Sequence, residues 1–238
     1  MRRAVALALA AALAAGAAAA EPCDEGMGVR VCFEGPTSRY GHGVLGGTPE
    51  WSRLAVEGGP SVELPEDRVF EDLAPRIVDV GGDGRPDFLV VESSATGGAQ
   101  LAVYGESPGG LIKTAATPEI GTRYRWLAPA AWRDLDDDGA VDFVYVDRPH
   151  VAGVLRVWSF AAGGLDEVDA VEGLSNHRIG DAAIASAVRD CGEGPEIVMP
   201  DFGWTGLRAV RFVDRRLEVR TIPGEASLEG VAAAARAC

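Results

Sequence analysis

At 238 residues the chain is long enough for one medium domain with its own core, or for two small ones. Asp and Glu outnumber Lys and Arg by 36 to 22, a net charge of −14. That charge argues against nucleic acid or an anionic membrane surface as partner and suits divalent cations or basic partners.

Residues 1–20 read as a secretory signal peptide. Arg2 and Arg3 form a basic start, Ala4 to about Ala15 an apolar run, and Ala18–Ala20 a small-residue cleavage site before Glu21. The run is too short and too rich in Ala for a convincing membrane span, so no span is expected after cleavage. Glu21–Pro22 before Cys23 does not suit a lipidation site. The four cysteines, Cys23, Cys32, Cys191 and Cys238, all follow the leader. An even number in an exported chain predicts disulfides and a periplasmic or secreted location. Residues 21–36 are expected to be a separate disulfide-linked segment, and 37–238 the main domain.

The main domain repeats. DVGGDGRPDFLVVE (Asp79–Glu92) recurs 55 residues later as DLDDDGAVDFVYVD (Asp134–Asp147), and in decayed form as RDCGEGPEIVMP (Arg189–Pro200). Each copy runs from a loop into an apolar strand, then through two further strands: Leu101–Tyr104 and Leu111–Thr114, Leu155–Trp158 and Leu165–Val168, Leu207–Phe212 and Leu217–Thr221. Units 67–121, 122–175 and 176 to about 224 thus predict four antiparallel strands each. Ser38–Gly46, Glu50–Glu57 and Ser61–Leu64 read as three strands of a unit lacking its first, and Ser227–Cys238 reads as that missing strand. The expected fold is therefore all-β, a small propeller of about four blades whose ring is closed by the C-terminal strand. A two-sheet sandwich is the alternative. Sequence allows three cystine connectivities. The repeat selects Cys23–Cys32 and Cys191–Cys238, since the last two fall at the ends of neighbouring inner strands.

Four aspartates in five positions would repel one another unless something positive sits among them. Asp134, Asp136 and Asp138 alternate, Gly139 permits a sharp turn, Asp142 closes the loop, and the Ala140 carbonyl can join them. Hard oxygen donors in this spacing predict Ca²⁺. In the earlier loop Asp79, Asp83 and Asp87 remain, with the Arg85 carbonyl, but Gly81 replaces the second ligand. The third loop has Cys191, Gly192 and Glu193 instead and is expected to hold no metal.

These loops and their period resemble the FG-GAP/VCBS repeats of integrin-type β-propellers. The whole chain resembles small exported VCBS-repeat proteins of bacteria, through Thr37–Gly46, Glu66–Pro75, Tyr145–His150 and Ser175–Gly180. The resemblance implies loops that bind Ca²⁺ and a propeller used for recognition. It carries no activity over.

No H-E-x-x-H, G-x-S-x-G, P-loop or dinucleotide fingerprint is present. Interstrand loops alternate between the two ends of a propeller, so the end away from the aspartate loops collects Arg68, Arg123, Trp126, Asp147, His150, His177 and Trp204. Arginine can grip an anion and tryptophan can stack on a sugar, so a protein or carbohydrate ligand is expected there. Rival readings are a hydrolase or lyase using His150 and His177, and a structural subunit of a periplasmic or surface assembly. Trp51, Trp132 and Trp158 read as core.

Overall fold

The computed structural model describes residues 22–161 and 163–238. The expected signal peptide lies outside the described residues. No helix among them is long and apolar enough to cross a membrane.

The described residues are all-β and antiparallel, with one short helix. Strands β1 (Cys23–Gly26), β2 (Val29–Thr37), β3 (Glu50–Val56) and β4 (Ser61–Glu63) form a first meander. A second contains β6 (Arg76–Val78), β7 (Asp87–Ser94), β8 (Gly98–Ser107) and β9 (Gly110–Ala116). Between them β5 (Arg68–Phe70) pairs with both β3 and β7 and joins the two into one nine-stranded sheet. Two separate four-stranded meanders follow: β10 (Leu127–Arg133), β11 (Asp142–Asp147), β12 (Val154–Ala161) and β13 (Gly164–Glu172), then β14 (Ala187–Asp190), β15 (Pro195–Pro200), β16 (Leu207–Val213) and β17 (Arg216–Ile222).

The meanders stack in series, and the alternation of side chains along their central strands explains how. In β7, Phe88 and Val90 enter a core shared with Val31, Phe33 and Leu54 of the first meander, while Leu89 and Val91 enter one shared with Phe143 and Tyr145 of β11. On the other face of β11, Val144 and Val146 meet Ile197 and Met199 of β15. Val198 points onward, to Val231 and Ala234. Each central strand is buried on both faces, so it reads as a continuous apolar run and not as an alternation.

Three expectations are corrected. The segment expected at 21–36 is not separate: among its described residues, 22–36, it supplies β1 and most of β2, because Val31 and Phe33 bury one face against Leu54 and Phe70. Ser38–Gly46 is a loop, and the first meander takes its inner strands from upstream. The C-terminal segment is helix α1 (Leu228–Ala235), and no ring is closed by a strand there. Its alanines favour helix, and the Ser227 side chain caps it by accepting from Gly230 N–H. Val231 and Ala234 cover the face of the last sheet, where a further sheet would otherwise pack. Among the described residues no strand joins the first and fourth meanders. They touch through loops, where Gly180 N–H donates to the Val44 carbonyl (3.2 Å). Gly46 has a left-handed φ of 65°, and a Cβ on it would stand 2.8 Å from the Gly180 oxygen, so this approach requires glycine.

Both expected cystines are present, Cys23–Cys32 across the β1–β2 hairpin and Cys191–Cys238. The second ties the loop after β14 to the end of α1, not to a neighbouring strand. Trp158 is buried, but Trp132 is 37% exposed, with the Arg76 guanidinium 5.0 Å from its ring centroid.

Candidate functional site

Two clusters lie at opposite ends of β11. The loop 134–141 leads into Asp142 at its start; Arg148 and His150 follow Asp147 at its end.

The aspartate loops at residues 79–87 and 134–142 share one hydrogen-bond design. Asp134 accepts from Asp137 N–H (2.7 Å) and Gly139 N–H (2.9 Å), and Asp79 from Asp83 N–H (3.0 Å) and Gly84 N–H (2.8 Å). Asp138 accepts from Ala140 N–H as Asp83 does from Arg85 N–H. Asp142 Oδ2 accepts from Leu135 N–H and Asp87 Oδ2 from Val80 N–H, both at 3.0 Å. Oxygens of Asp134, Asp136 and Asp138 lie within 4.8 Å of one another. Asp136 Oδ1 and Asp142 Oδ1 are buried and make no hydrogen bond. Ser159, opposite Asp142 on β12, eases its burial without reaching bonding geometry. Burial first, then the Asp136 and Asp138 charges, push the Asp142 carboxyl up to about 6. Burial and the same kind of repulsion raise Asp136. A buried carboxylate with an unused oxygen, beside three clustered aspartates, has the donor chemistry of a hard-cation site.

The other two loops differ. The Arg85 guanidinium reaches Asp83 (Nε to Oδ2, 2.8 Å), holding that carboxyl below its ordinary range through hydrogen bonds and charge. In the third, the pairing Arg189↔Glu196 corresponds to Arg133↔Asp142, and the intervening loop is two residues shorter. Glu196 is nearly buried and binds Arg189 and Arg220, each at 2.7 Å. Arginines supply there the positive charge that the aspartate loop lacks.

At the far end the three histidines of the chain meet. His42 donates through Nδ1 to Glu71 Oε1 (2.6 Å), and the Ser93 hydroxyl donates to Glu71 Oε2 (2.6 Å). The buried Glu50 carboxylate accepts from His42 N–H (2.8 Å), which fixes the loop carrying the ring. His150 Nε2 lies 2.8 Å from His177 Nδ1, and His177 Nε2 lies 3.0 Å from the Asp181 carbonyl. A carbonyl can only accept, so His177 carries its proton on Nε2 and His150 donates to it. Burial, then the neighbouring imidazole, pushes His150 down to about 4, and burial lowers His177 as well. Trp126 is buried beside both and donates from Nε1 to the Glu71 carbonyl (2.9 Å).

The expected face residues divide. Trp126, His150 and His177 come together. Arg123 stands next to them: it donates to the Tyr40 carbonyl (2.7 Å) and stacks on Tyr124, 4.7 Å from the ring centroid. Trp204 lies under Arg178, 4.0 Å from its ring centroid. Arg68 is engaged by Glu92 (2.6 Å) and Glu119 (2.7 Å), and Asp147 is buried between Arg148 and Arg156. Those two hold the fold. Tyr40, His42, Glu71 and Tyr124 were not among the expected site residues. The available signal was scarcity: a chain with three histidines carries one in each of three segments, Thr37–Gly46, Tyr145–His150 and Ser175–Gly180.

No protein-family model matches the chain, and no curated protein matches it. The site's chemistry must therefore be read from its own geometry. A small cavity of about 170 Å³ opens among His42, Tyr124, Arg125, Trp126 and His150. A wider groove of about 490 Å³ lies between β10 and the segment before β14, but its lining is mainly apolar, and Arg76 at its wall is already paired with Asp72.

Proposed function

We propose that this chain is an exported, calcium-stabilised module of the FG-GAP/VCBS type, a four-bladed variant of the propeller, that recognises a ligand with its histidine-bearing end. What carries the reading is the contrast between the two ends of β11. Carboxylates short of donors gather at one; imidazole, guanidinium and aromatic groups gather at the other. The blade reading is supported by the 55-residue period and by the serial packing of like meanders, each sharing a core with the next. Two disulfides support an oxidising compartment.

Asp134, Asp136, Asp138 and Asp142 would hold Ca²⁺, whose charge offsets their repulsion. The loop of Asp79, Asp83 and Asp87 is a weaker candidate, since Arg85 already neutralises Asp83. The test is a set of melting curves in chelator, in millimolar Ca²⁺ and in millimolar Mg²⁺, with elemental analysis of the purified protein. Ligand at a hundredfold excess over Kd stabilises by about 2.7 kcal/mol. For a domain of this size each kcal/mol moves Tm by roughly 2–4 °C. Mg²⁺ prefers a smaller, stricter octahedron and should substitute poorly. Superimposable curves and no bound metal would sink the calcium reading.

A second reading, a hydrolase or lyase, rests on one observation. A buried carboxylate orients His42 at the cavity wall, as a general base would require. Among the described residues no nucleophile stands beside it.

A further inference from the structure

The exposed apolar side chains are unevenly placed. Nine large ones are exposed among the described residues, and four of them, Tyr124, Val151, Ile179 and Phe202, stand at the histidine end. The other five, Met27, Ile112, Trp132, Val219 and Leu228, fall in five separate places of the fold. Val151 and Ile179 border the same hollow as Arg125 and Arg148. The Phe202 ring lies over the turn that carries Val151, since a Cβ on Gly153 would collide with it. Trp204, two residues further on, lies under the Arg178 guanidinium, and Arg178 precedes Ile179. A contiguous apolar patch of this kind marks an interaction site, as single exposed residues do not.

The backbone that presents the patch is strained and pinned. Seven non-glycine residues have a left-handed φ among the described residues. Met27, Asp214 and Arg215 sit in two-residue hairpin turns that require it, and Asp137 sits in the aspartate loop. The other three, Tyr124 (66°), Arg148 (47°) and Trp204 (53°), are all at this end, and no two-residue turn accounts for them. Contacts hold each turn of the patch. The Arg148 carbonyl accepts from Val151 N–H and Ala152 N–H, both at 2.9 Å. The Asp201 carboxylate accepts from the Thr205 N–H and hydroxyl, both at 2.8 Å, and its carbonyl from Trp204 N–H (2.9 Å). The Arg178 carbonyl accepts from Asp181 N–H (3.0 Å). Strained residues that their surroundings over-determine cluster at binding sites, and turns fixed in advance lose little entropy on association.

Charge decides what the patch accepts. Arg125 and Arg178 are exposed and form no ion pair among the described residues, and Arg123 hydrogen-bonds the neutral Tyr40 carbonyl. Stacking on Trp204 occupies one face of the Arg178 guanidinium and leaves its N–H edge for a carboxylate. Asp147 is taken by Arg148 and Arg156, and Asp201 by Arg208. Asp181 is exposed and offsets one cation at most. On a chain of net charge −14 such a patch suits a local anionic group, whereas an extended anionic surface would meet repulsion from the remainder. Val151 and Ile179 present aliphatic groups, which bury favourably against apolar side chains and poorly against hydroxyl-covered sugars. We propose that this end docks a segment of another protein in which carboxylates flank apolar side chains, the apolar groups covering Val151, Ile179 and Phe202 and the carboxylates meeting Arg125 and Arg178. This rests on the recognition reading above and specifies the chemistry of the partner.

The test is selection of phage-displayed random dodecapeptides on the exported protein in millimolar Ca²⁺, followed by anisotropy titration of the synthetic consensus peptide. Enriched peptides should carry Asp or Glu around Leu, Ile, Phe or Trp. Ile179→Ser should weaken the consensus peptide about tenfold or more, as loss of an apolar anchor does, and should leave Tm in place because the side chain is 73% exposed. The Arg125→Glu/Arg178→Glu double variant should weaken it at least about tenfold and remove most of its salt dependence. Ile112→Ser, at an exposed position on β9, should bind as the parent does. Enrichment of basic or uncharged peptides, or a consensus peptide whose binding survives both changes at the patch, would overturn the proposal. Binding instead to phosphatidylcholine vesicles with about one-third phosphatidylglycerol would assign the face to a bilayer and overturn it as well. So would self-association that Ile179→Ser abolishes, which would assign the face to a second copy of the chain. A blank selection also overturns it. The recognition reading then stands if a glycan array shows binding that His150→Phe removes, and falls if that array is blank too.

Discussion

Asp142→Asn should move stability in opposite directions with and without calcium. Asp142 is fully buried, one of its oxygens has no hydrogen bond, and its carboxyl is pushed up to about 6. A buried acid raised this far opposes folding once ionised, on the order of 1–3 kcal/mol at pH 7. Asparagine removes the charge and keeps the shape. Its Oδ1 can still accept from Leu135 N–H, and its amide nitrogen then faces the neighbouring carboxylates. In chelator at pH 7 the variant should therefore melt above the parent by about 2–12 °C. In millimolar Ca²⁺ the parent should rise and the variant should not, so that their order reverses. The sign also fixes the pH dependence. An acid whose folded pKa is raised contributes stability while protonated, and loses it as pH rises from its ordinary value near 4 through about 6. The advantage of the variant in chelator should thus shrink toward pH 4. Circular dichroism melts at pH 7 and 4.5, each with chelator and with Ca²⁺, read all these differences. A variant less stable than the parent in chelator, or one that keeps the full calcium shift, would refute the assignment of Asp142 as an uncompensated ligand.

Glu92 is fully buried and takes Arg68, Lys113 and the Tyr104 hydroxyl. Glu92→Ala should cost about 3–5 kcal/mol by stranding these partners, and urea titration with and without Ca²⁺ should give the same loss. Cys191–Cys238 closes a chain separation of 47 residues and Cys23–Cys32 one of 9. In the chain-entropy model paired Cys→Ala changes should cost about 4 and about 2.6 kcal/mol respectively; a larger loss at the short loop would argue against that account. His150 and His177 are both lowered by burial, so their contribution is present above about pH 6.5 and lost as pH falls toward 4. The His150→Gln/His177→Gln double variant should show a flatter stability profile than the parent between those limits, and parallel profiles would count against a neutral pair. Exported protein should show an intact mass lower by four hydrogens, starting at Glu21, and free thiols there would contradict the disulfides.

The repeat was legible because it is written in local chemistry. Asp134, Asp138, Gly139 and Asp142 make a loop whose hydrogen bonds run within nine residues, so spacing alone reveals it and its copy at Asp79–Asp87. The three meanders from 67 to about 224 followed from the same period, since hairpin turns and apolar runs are short-range signals. The first meander and the last element did not. Val29–Thr37 and Ser38–Gly46 both carry residues compatible with a strand, and only pairing with β3 and burial of Val31 and Phe33 decided between them. Ser227–Cys238 resembled an inner strand in composition, but its alanines and serine cap favour a helix once the last sheet offers a face to cover. The histidine site was the least legible. His42, Glu71, Tyr124, His150 and His177 are spread over more than a hundred residues, and each is unremarkable in its own segment. Arg68 looked equally available for a ligand, yet the tertiary structure gave it to Glu92 and Glu119. Which charges are spent on the fold and which stay free depends on contacts between distant loops, and those exist only once the sheets have stacked.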